Sequence, residues 1–123
     1  MTSIVLWVED LDRARVFYEK LLALTPYEIS DTFVALGSTA NEILLHLIPE
    51  NYREGITATP SRREEVAIKP IFEVSSIANS REAVAETNGE VYAINREQTF
   101  QAAVYCDGFD PEGNVFQLRQ VTG

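Results

Sequence analysis

The side chains best suited to chemistry lie on two short apolar segments of the chain. The segment "EILLHLI" at 42–48 carries Glu42 and His46, and "IKPIFEV" at 68–74 carries Lys69 and Glu73. His46 is the only histidine, and histidine is the usual side chain for proton transfer near neutral pH. His46 acting as a base with Glu42 or Glu73, with Lys69 stabilising a developing negative charge, would suit isomerisation of a small carbonyl compound.

Each of these residues also has a structural interpretation. A single histidine on an apolar strand is more often a packed residue than a functional one. Lys69 could form a salt bridge with Glu73 or Glu42, and a buried ion pair is weak evidence of function. Cys106 is the only cysteine, so the chain can form no internal disulfide, and an inert buried thiol is expected there.

Length and charge restrict the class of protein. The 123 residues are enough for one domain. Ten basic and nineteen acidic residues give a net charge of −9, which repels nucleic acid and anionic membranes and favours cationic ligands. The N-terminus lacks the pattern of a signal peptide, and no apolar run approaches the roughly 20 residues of a membrane span. Together with the single cysteine, these features predict a cytoplasmic protein.

A strand, a helix and three further strands are predicted for the first 48 residues. "SIVLWVED" alternates between two faces, and Asp10 is suited to cap a helix over "LDRARVFYEKLLA", whose apolar residues recur at helical spacing. Thr25-Pro26 should end that helix. Short strands are expected near 26–30, 32–37 and 41–48. Residues 49–66 are polar and contain two prolines, which predicts a linker; a mobile flap over a site is the alternative.

The second half repeats this order. A shift of 66 places Leu11 on Ile77, and it brings a strand, a turn and a helix into the same sequence of elements. Asn88-Gly89 is expected to end the second helix, and strands are expected near 90–94, 100–106 and 114–120. The prediction is an α+β protein with a single domain over 1–123, in which two β-α-β-β-β modules cover about 1–48 and 67–123.

One face of each predicted sheet packs on its helix, so function is expected on the other face. Strand alternation assigns an apolar and aromatic surface with a few polar groups to that face, as in most small-molecule sites. Trp7 could equally be a core residue. The residues expected to contact a ligand are Val5, Trp7, Leu44, His46, Lys69, Glu73, Tyr105, Gln117 and Arg119.

Two motifs resemble those of a known superfamily. "VEDLDRARVFYEKLLAL" near the start and "GFDPEGNVFQLRQ" near the end resemble the vicinal oxygen chelate superfamily, which includes glyoxalase I, bleomycin-resistance proteins, extradiol dioxygenases and fosfomycin-resistance proteins. The resemblance covers nearly the whole chain. It implies a glyoxalase/bleomycin-resistance fold, in which two βαβββ modules form a curved eight-stranded mixed sheet around a cleft. It also implies a homodimer.

Catalytic members of this superfamily hold a divalent metal in the cleft through four strand residues, usually His and Glu. The resemblance places those four positions at Ser3, Leu44, Lys69 and Gln117. Leucine offers no donor and lysine brings a positive charge, so this set predicts no metal and no cofactor. A register error of two residues would place His46 at the Leu44 position.

Two functions follow from the sequence. The first is a metal-free protein of bleomycin-resistance type that binds a small cationic or aromatic molecule in its cleft. The alternative is a lyase, isomerase or dioxygenase of the same superfamily, using His46 with carboxylates or a metal bound elsewhere. Neither interpretation involves nucleic acid or a membrane.

Overall fold

The first sheet contains the N-terminal strands, and it is open on the side away from its helix. The computed structural model describes residues 2–55 and 62–122. Four strands pair in the order β1-β4-β3-β2, with β1 parallel to β4 and the other neighbours antiparallel. Their bounds are Thr2–Val8 for β1, Thr25–Ile29 for β2, Phe33–Gly37 for β3 and Asn41–Leu47 for β4.

Helix α1 (Leu11–Leu22) connects β1 to β2 and covers one face of this sheet. It begins where predicted, because the Asp10 side chain accepts a hydrogen bond from the backbone N of Arg13 at 3.1 Å. It ends at Leu22, before Thr25-Pro26, because Ala23 adopts the left-handed conformation with φ of 51°. The residues that the helix buries are Leu11, Ala14, Phe17, Tyr18, Leu21 and Leu22.

The second sheet repeats the arrangement with one interruption. Its strands pair in the order β5-β9-β8-β6, and β7 also pairs with β8. Helix α2 (Ile77–Ala83) follows β5, and β5 is parallel to β9. The strand bounds are Ile71–Glu73 for β5, Glu90–Val91 for β6, Gln98–Phe100 for β7, Ala103–Phe109 for β8 and Val115–Val121 for β9.

The α+β class and the repeat are confirmed. Val5 pairs with Leu44 across β1 and β4, and the residue 66 positions later, Ile71, pairs with Gln117 across β5 and β9. In each module the first strand is therefore parallel to the last strand, and positions related by the shift of 66 occupy equivalent places in the two sheets.

Three details differ from the prediction. The described strands form two hydrogen-bonded sheets rather than one sheet of eight. A short 3-10 turn at Ile94–Arg96 separates β6 from β7, so both shorter strands pair with β8 where one longer strand was expected. Helix α2 ends at Ala83 rather than at Asn88, because a tight turn follows in which the backbone N of Thr87 donates to Val84 O at 3.0 Å.

One apolar core joins the two sheets. Phe17 packs against Phe116 with ring centroids 6.0 Å apart, and Tyr18 packs against Phe72 at 6.1 Å. Asn41 Nδ2 also donates to Glu73 O at 2.9 Å. Since these contacts use the helix-covered faces, the opposite faces of both sheets remain open.

The turn between β8 and β9 is tied to helix α1. Asp110 is buried and accepts hydrogen bonds from Tyr18 OH at 2.7 Å and from the backbone of Glu112 and Asn114. Gly113 has φ of 85°, which favours glycine. Asp110 and its neighbours therefore have the turn role expected from the sequence.

The two described ends of the predicted linker are hydrogen-bonded to different parts of the fold. Glu50–Tyr52 forms a 3-10 turn, and the Glu9 carboxylate accepts from the backbone N of Glu54 at 2.9 Å. The backbone N of Arg63 donates to Gly113 O at 2.7 Å. The middle of the linker, 56–61, lies outside the described residues, and the flap interpretation stays a prediction. No helix within 2–55 and 62–122 is long and apolar enough to cross a membrane.

Candidate functional site

Three aromatic rings lie side by side on the open face of the first sheet. Trp7, His46 and Phe33 are register partners on β1, β4 and β3, and we call them the ring row. The Trp7 and His46 rings are stacked with centroids 4.6 Å apart and planes 25° apart, and the Phe33 ring lies 4.7 Å from His46. Trp7 is 56% exposed, so the ring row offers a flat aromatic surface to a ligand rather than a packed core.

A carboxylate lies further along the same face. Glu42 accepts a hydrogen bond from Ser3 Oγ and another from Tyr27 OH, each at 2.5 Å. These two donors lower the pKa of Glu42 below its ordinary value, so the group is anionic at neutral pH. It is also a weak proton acceptor for the same reason.

An apolar strip separates Glu42 from the ring row. Glu42 and His46 are four residues apart on β4, which corresponds to about 13 Å along a strand. Leu44 and Val5 lie between them as register partners, and Val5 is 52% exposed. The face therefore presents a negative charge at one end, an apolar middle and an aromatic surface at the other end.

A cavity adjoins this strip. It has a volume of about 300 Å³ and lies between β1, including Val5, and the segment that leads into β5, including Val66, Ile68 and Pro70. Most of its lining is apolar. A ligand on the strip would therefore find further apolar surface where the two modules meet.

The open face of the second sheet carries paired charges. Lys69 Nζ lies 2.9 Å from Asp107 Oδ2, and Gln117 Nε2 donates to Asp107 Oδ1 at 3.0 Å. Arg119 Nε lies 3.6 Å from Glu73 Oε1. Lys69 therefore pairs with Asp107 and not with Glu73 or Glu42, the two carboxylates expected from the sequence. Asp107 was not among the predicted site residues, although its alternation with Tyr105 on β8 would have placed it on this face.

Tyr105 is the register partner of Arg119 on this second face, and its ring lies 6.4 Å from that of Phe100. Lys69, Glu73, Gln117 and Arg119 thus occupy the face predicted for them. Lys69 and Gln117 are bonded to Asp107, and Arg119 lies in an ion pair with Glu73 although its Nε makes no hydrogen bond within the described residues.

The three candidate catalytic residues are not brought together. Glu42 and His46 are separated by about 13 Å of strand, and Lys69 pairs with Asp107 on the other sheet. Cys106 is buried and its thiol donates to Tyr92 O at 3.3 Å. Burial raises the pKa of Cys106, which keeps the thiol protonated and unreactive.

The four family metal positions do not fit a divalent metal. The Ser3 hydroxyl donates to Glu42, Leu44 has no donor atom, and the Lys69 ammonium is a cation next to Asp107. Gln117 offers one neutral amide. Within the part of the chain that the structure describes, no three His, Cys, Asp or Glu side chains lie close enough to share a metal ion.

Comparison with solved structures places this architecture among known ones. A glyoxalase/bleomycin resistance protein/dioxygenase family enzyme from Burkholderia phytofirmans PsJN superposes with a TM-score of 0.69 at 16% identity, covering 97% of this chain and 96% of that one. The fosfomycin resistance protein FosX from Mesorhizobium loti gives 0.67 at 11% identity, covering 99% and 92%. A glyoxalase/bleomycin resistance protein from Albidiferax ferrireducens T118 gives 0.66 at 19%, covering 98% and 97%.

The sequence matches no family model and no curated protein. The likeness to solved structures extends over almost the full length of each chain at low identity, and it is a likeness of fold. The fold predicted from the two sequence motifs is therefore confirmed: this chain has the glyoxalase/bleomycin-resistance fold.

Proposed function

We propose that the chain is a metal-free binding protein for a small molecule that carries both an aromatic ring and a positive charge. The observation that carries this proposal is the open face of the first sheet, with exposed Trp7 at one end and anionic Glu42 at the other. The ligand ring stacks on the ring row, and its cationic group pairs with Glu42 about 13 Å away.

The overall charge supports a cationic ligand. With nineteen acidic and ten basic residues, the field around the protein raises the local concentration of cations and repels anions. On the second sheet the carboxylates of Asp107 and Glu73 already have cationic partners, whereas Glu42 is held by two hydroxyl groups. Glu42 is therefore the carboxylate of the two faces best able to accept a ligand cation.

The enzyme alternative has less support. A histidine base that works with a carboxylate or an ammonium group needs that group within hydrogen-bond reach. Glu42 is instead bonded to Ser3 and Tyr27, and Lys69 is paired with Asp107. The stacking of His46 between Trp7 and Phe33 favours a role in forming the aromatic surface. We also propose a cytoplasmic location for the protein, because its single cysteine is a buried free thiol, as expected in a reducing compartment.

Fluorescence of the single tryptophan tests the proposal directly. Titration with aromatic amines and cationic glycopeptide antibiotics should quench Trp7 in a saturable way, and aromatic carboxylates of matched size should not. Glu42→Gln should weaken binding roughly twofold to fivefold, the range of an exposed ion pair. The control is Glu28→Gln, which removes the same charge from the exposed edge of the sheet and should bind as the wild type does.

Two results would contradict the proposal. If none of these compounds quenches Trp7, the ring row does not bind an aromatic ligand. If amines and carboxylates quench equally, Glu42 does not select for a cation. Metal analysis of protein purified without a chelator should find less than one ion per chain. A stoichiometric metal would overturn the metal-free part.

A further inference from the structure

One cavity of the described chain lies away from both open sheet faces. It has a volume of about 560 Å³ and lies beside the end of α2, between the following turn and strand β8. This volume is in the range of small-molecule sites. It shares no lining residue with the 300 Å³ cavity beside β1 or with the ring row.

Two arginines line this cavity and keep unused donors. Arg62 Nη1 donates to Tyr92 OH at 3.0 Å, and its guanidinium carbon lies over the Phe109 ring at 4.2 Å from the centroid. Arg81 donates through Nε to Tyr92 O and through Nη2 to Glu97. A guanidinium has five N–H groups, so each arginine has N–H groups without a partner among the described residues.

The two arginines differ in the charge that they offer. Arg81 forms a 2.5 Å ion pair with Glu97, which balances its charge. Arg62 forms no ion pair among the described residues, and its stacking on Phe109 holds it in place. Glu90 also lines the cavity and is exposed, as is Arg62. The Tyr92 hydroxyl that accepts from Arg62 donates to Glu64 at 3.4 Å. The cavity therefore combines one guanidinium without a direct ion pair with a second set of N–H donors.

The rest of the lining is largely apolar. Val84 and Val91 are buried core residues that line the cavity, and the small side chains of Ala85 and Ala93 line it as well. Thr87 and Asn88 add polar groups from the turn after α2. An apolar pocket with two guanidinium groups on one side suits a planar anion attached to an apolar body.

We infer that this cavity is a second ligand site, which binds a small organic carboxylate. The carboxylate accepts hydrogen bonds from Arg62 and Arg81, and the apolar body of the ligand packs against Val84 and Val91. Its charge preference is opposite to that of the proposed site on the first sheet. The two sites can therefore be tested independently.

Benzoate is a suitable probe, with benzylamine as the cation of the same shape. In NMR spectra of the methyl groups, benzoate at millimolar concentration should shift Val84 and Val91 in a saturable way, and benzylamine should not. Arg62→Ala should weaken benzoate binding roughly tenfold or more, because a charge-assisted hydrogen bond is lost. Arg53→Ala is the matched control, since it removes one exposed positive charge from a different region and should leave benzoate binding unchanged.

A second variant keeps the test decisive if Arg62→Ala is unstable. Ala85→Leu leaves both arginines in place and fills part of the cavity, so it should also weaken benzoate binding. No saturable shift of Val84 and Val91 in the wild type would overturn the inference, as would undiminished binding by folded Arg62→Ala or Ala85→Leu. Quenching of Trp7 by benzoate without shifts at these valines would place benzoate on the ring row and would also overturn it.

Discussion

At the scale of single residues, the buried Glu112 is an unusual carboxylate. It is 6% exposed, and its Oε2 accepts hydrogen bonds from the backbone N of both Glu9 and Asp10, at 2.8 and 2.9 Å. These bonds fix the end of β1 against the last turn of the second module. Burial outweighs them and raises the pKa of Glu112 above its ordinary 4.5, because desolvation disfavours the charged form.

This raised pKa predicts a specific dependence of stability on pH. The folded protein binds the Glu112 proton more tightly than the unfolded chain does, so protonation stabilises the fold. That contribution is fully present below pH 4.5 and is lost as the pH rises through the folded pKa. In urea unfolding at several pH values, the free energy of unfolding of wild type relative to Glu112→Gln should therefore fall as the pH rises through this range.

Glutamine is a suitable replacement because one oxygen at the Oε2 position can accept from both backbone N–H groups. Glu86→Gln, at an exposed position, is the control and should show a flat difference from wild type across the same range. A flat difference for Glu112→Gln as well would show that the pKa of Glu112 is not raised.

At the scale of elements, helix α1 joins the two modules. Phe17 and Tyr18 lie on its buried side and reach the aromatic residues of the second sheet. Tyr18 OH also donates to Asp110 in the turn before β9. Burial and the neighbouring Asp110 raise the pKa of Tyr18 well above its ordinary value, so the hydroxyl remains a donor at all ordinary pH values.

Tyr18→Phe should destabilise the fold by about 1–2 kcal/mol, because a buried carboxylate loses one of its donors. Tyr52→Phe makes the same chemical change at a position that is 72% exposed, and it should change stability by less than about 0.5 kcal/mol. Chemical denaturation followed by circular dichroism measures both. Equal midpoints for the two variants would show that the Tyr18–Asp110 bond adds nothing to the link between modules.

At the scale of the whole molecule, both open faces expose large apolar side chains. Val5 and Trp7 do so on the first sheet, and Ile71 and Val121 do so on the second. Apolar patches of this kind favour contact with another surface. A second copy of the chain would cover Ile71 and Val121 through a symmetric interface and would leave the ring row open to a ligand; a homodimer is what the resemblance of the two motifs implies.

A homodimer therefore predicts that light scattering after size-exclusion chromatography gives twice the mass of the chain. Ile71→Glu should shift the protein toward the monomer, because a charge would be buried at the interface. Ile94→Glu makes the same change at a residue that is exposed on the 3-10 turn, and it should leave the mass unchanged. A monomeric wild type, or a dimer insensitive to Ile71→Glu, would contradict this arrangement.

The sequence by itself determined the fold and the faces of its strands. Alternation on "SIVLWVED" assigned Trp7 and Val5 to the open face, and Asp10 marked the start of α1, because strand period and helix capping are local properties. The two motifs located the ends of the repeat. The assignment of Ser3, Leu44, Lys69 and Gln117 to the four metal positions followed from the resemblance that those motifs carry.

Only the tertiary structure decided which of these residues act together. It paired Lys69 with Asp107 and stacked Trp7 on His46, because partners across strands depend on register and rotamer. It also brought Arg62 and Arg81 to one cavity although they are nineteen positions apart in sequence. Contacts between distant segments arise from packing of the whole core, and no local pattern encodes them.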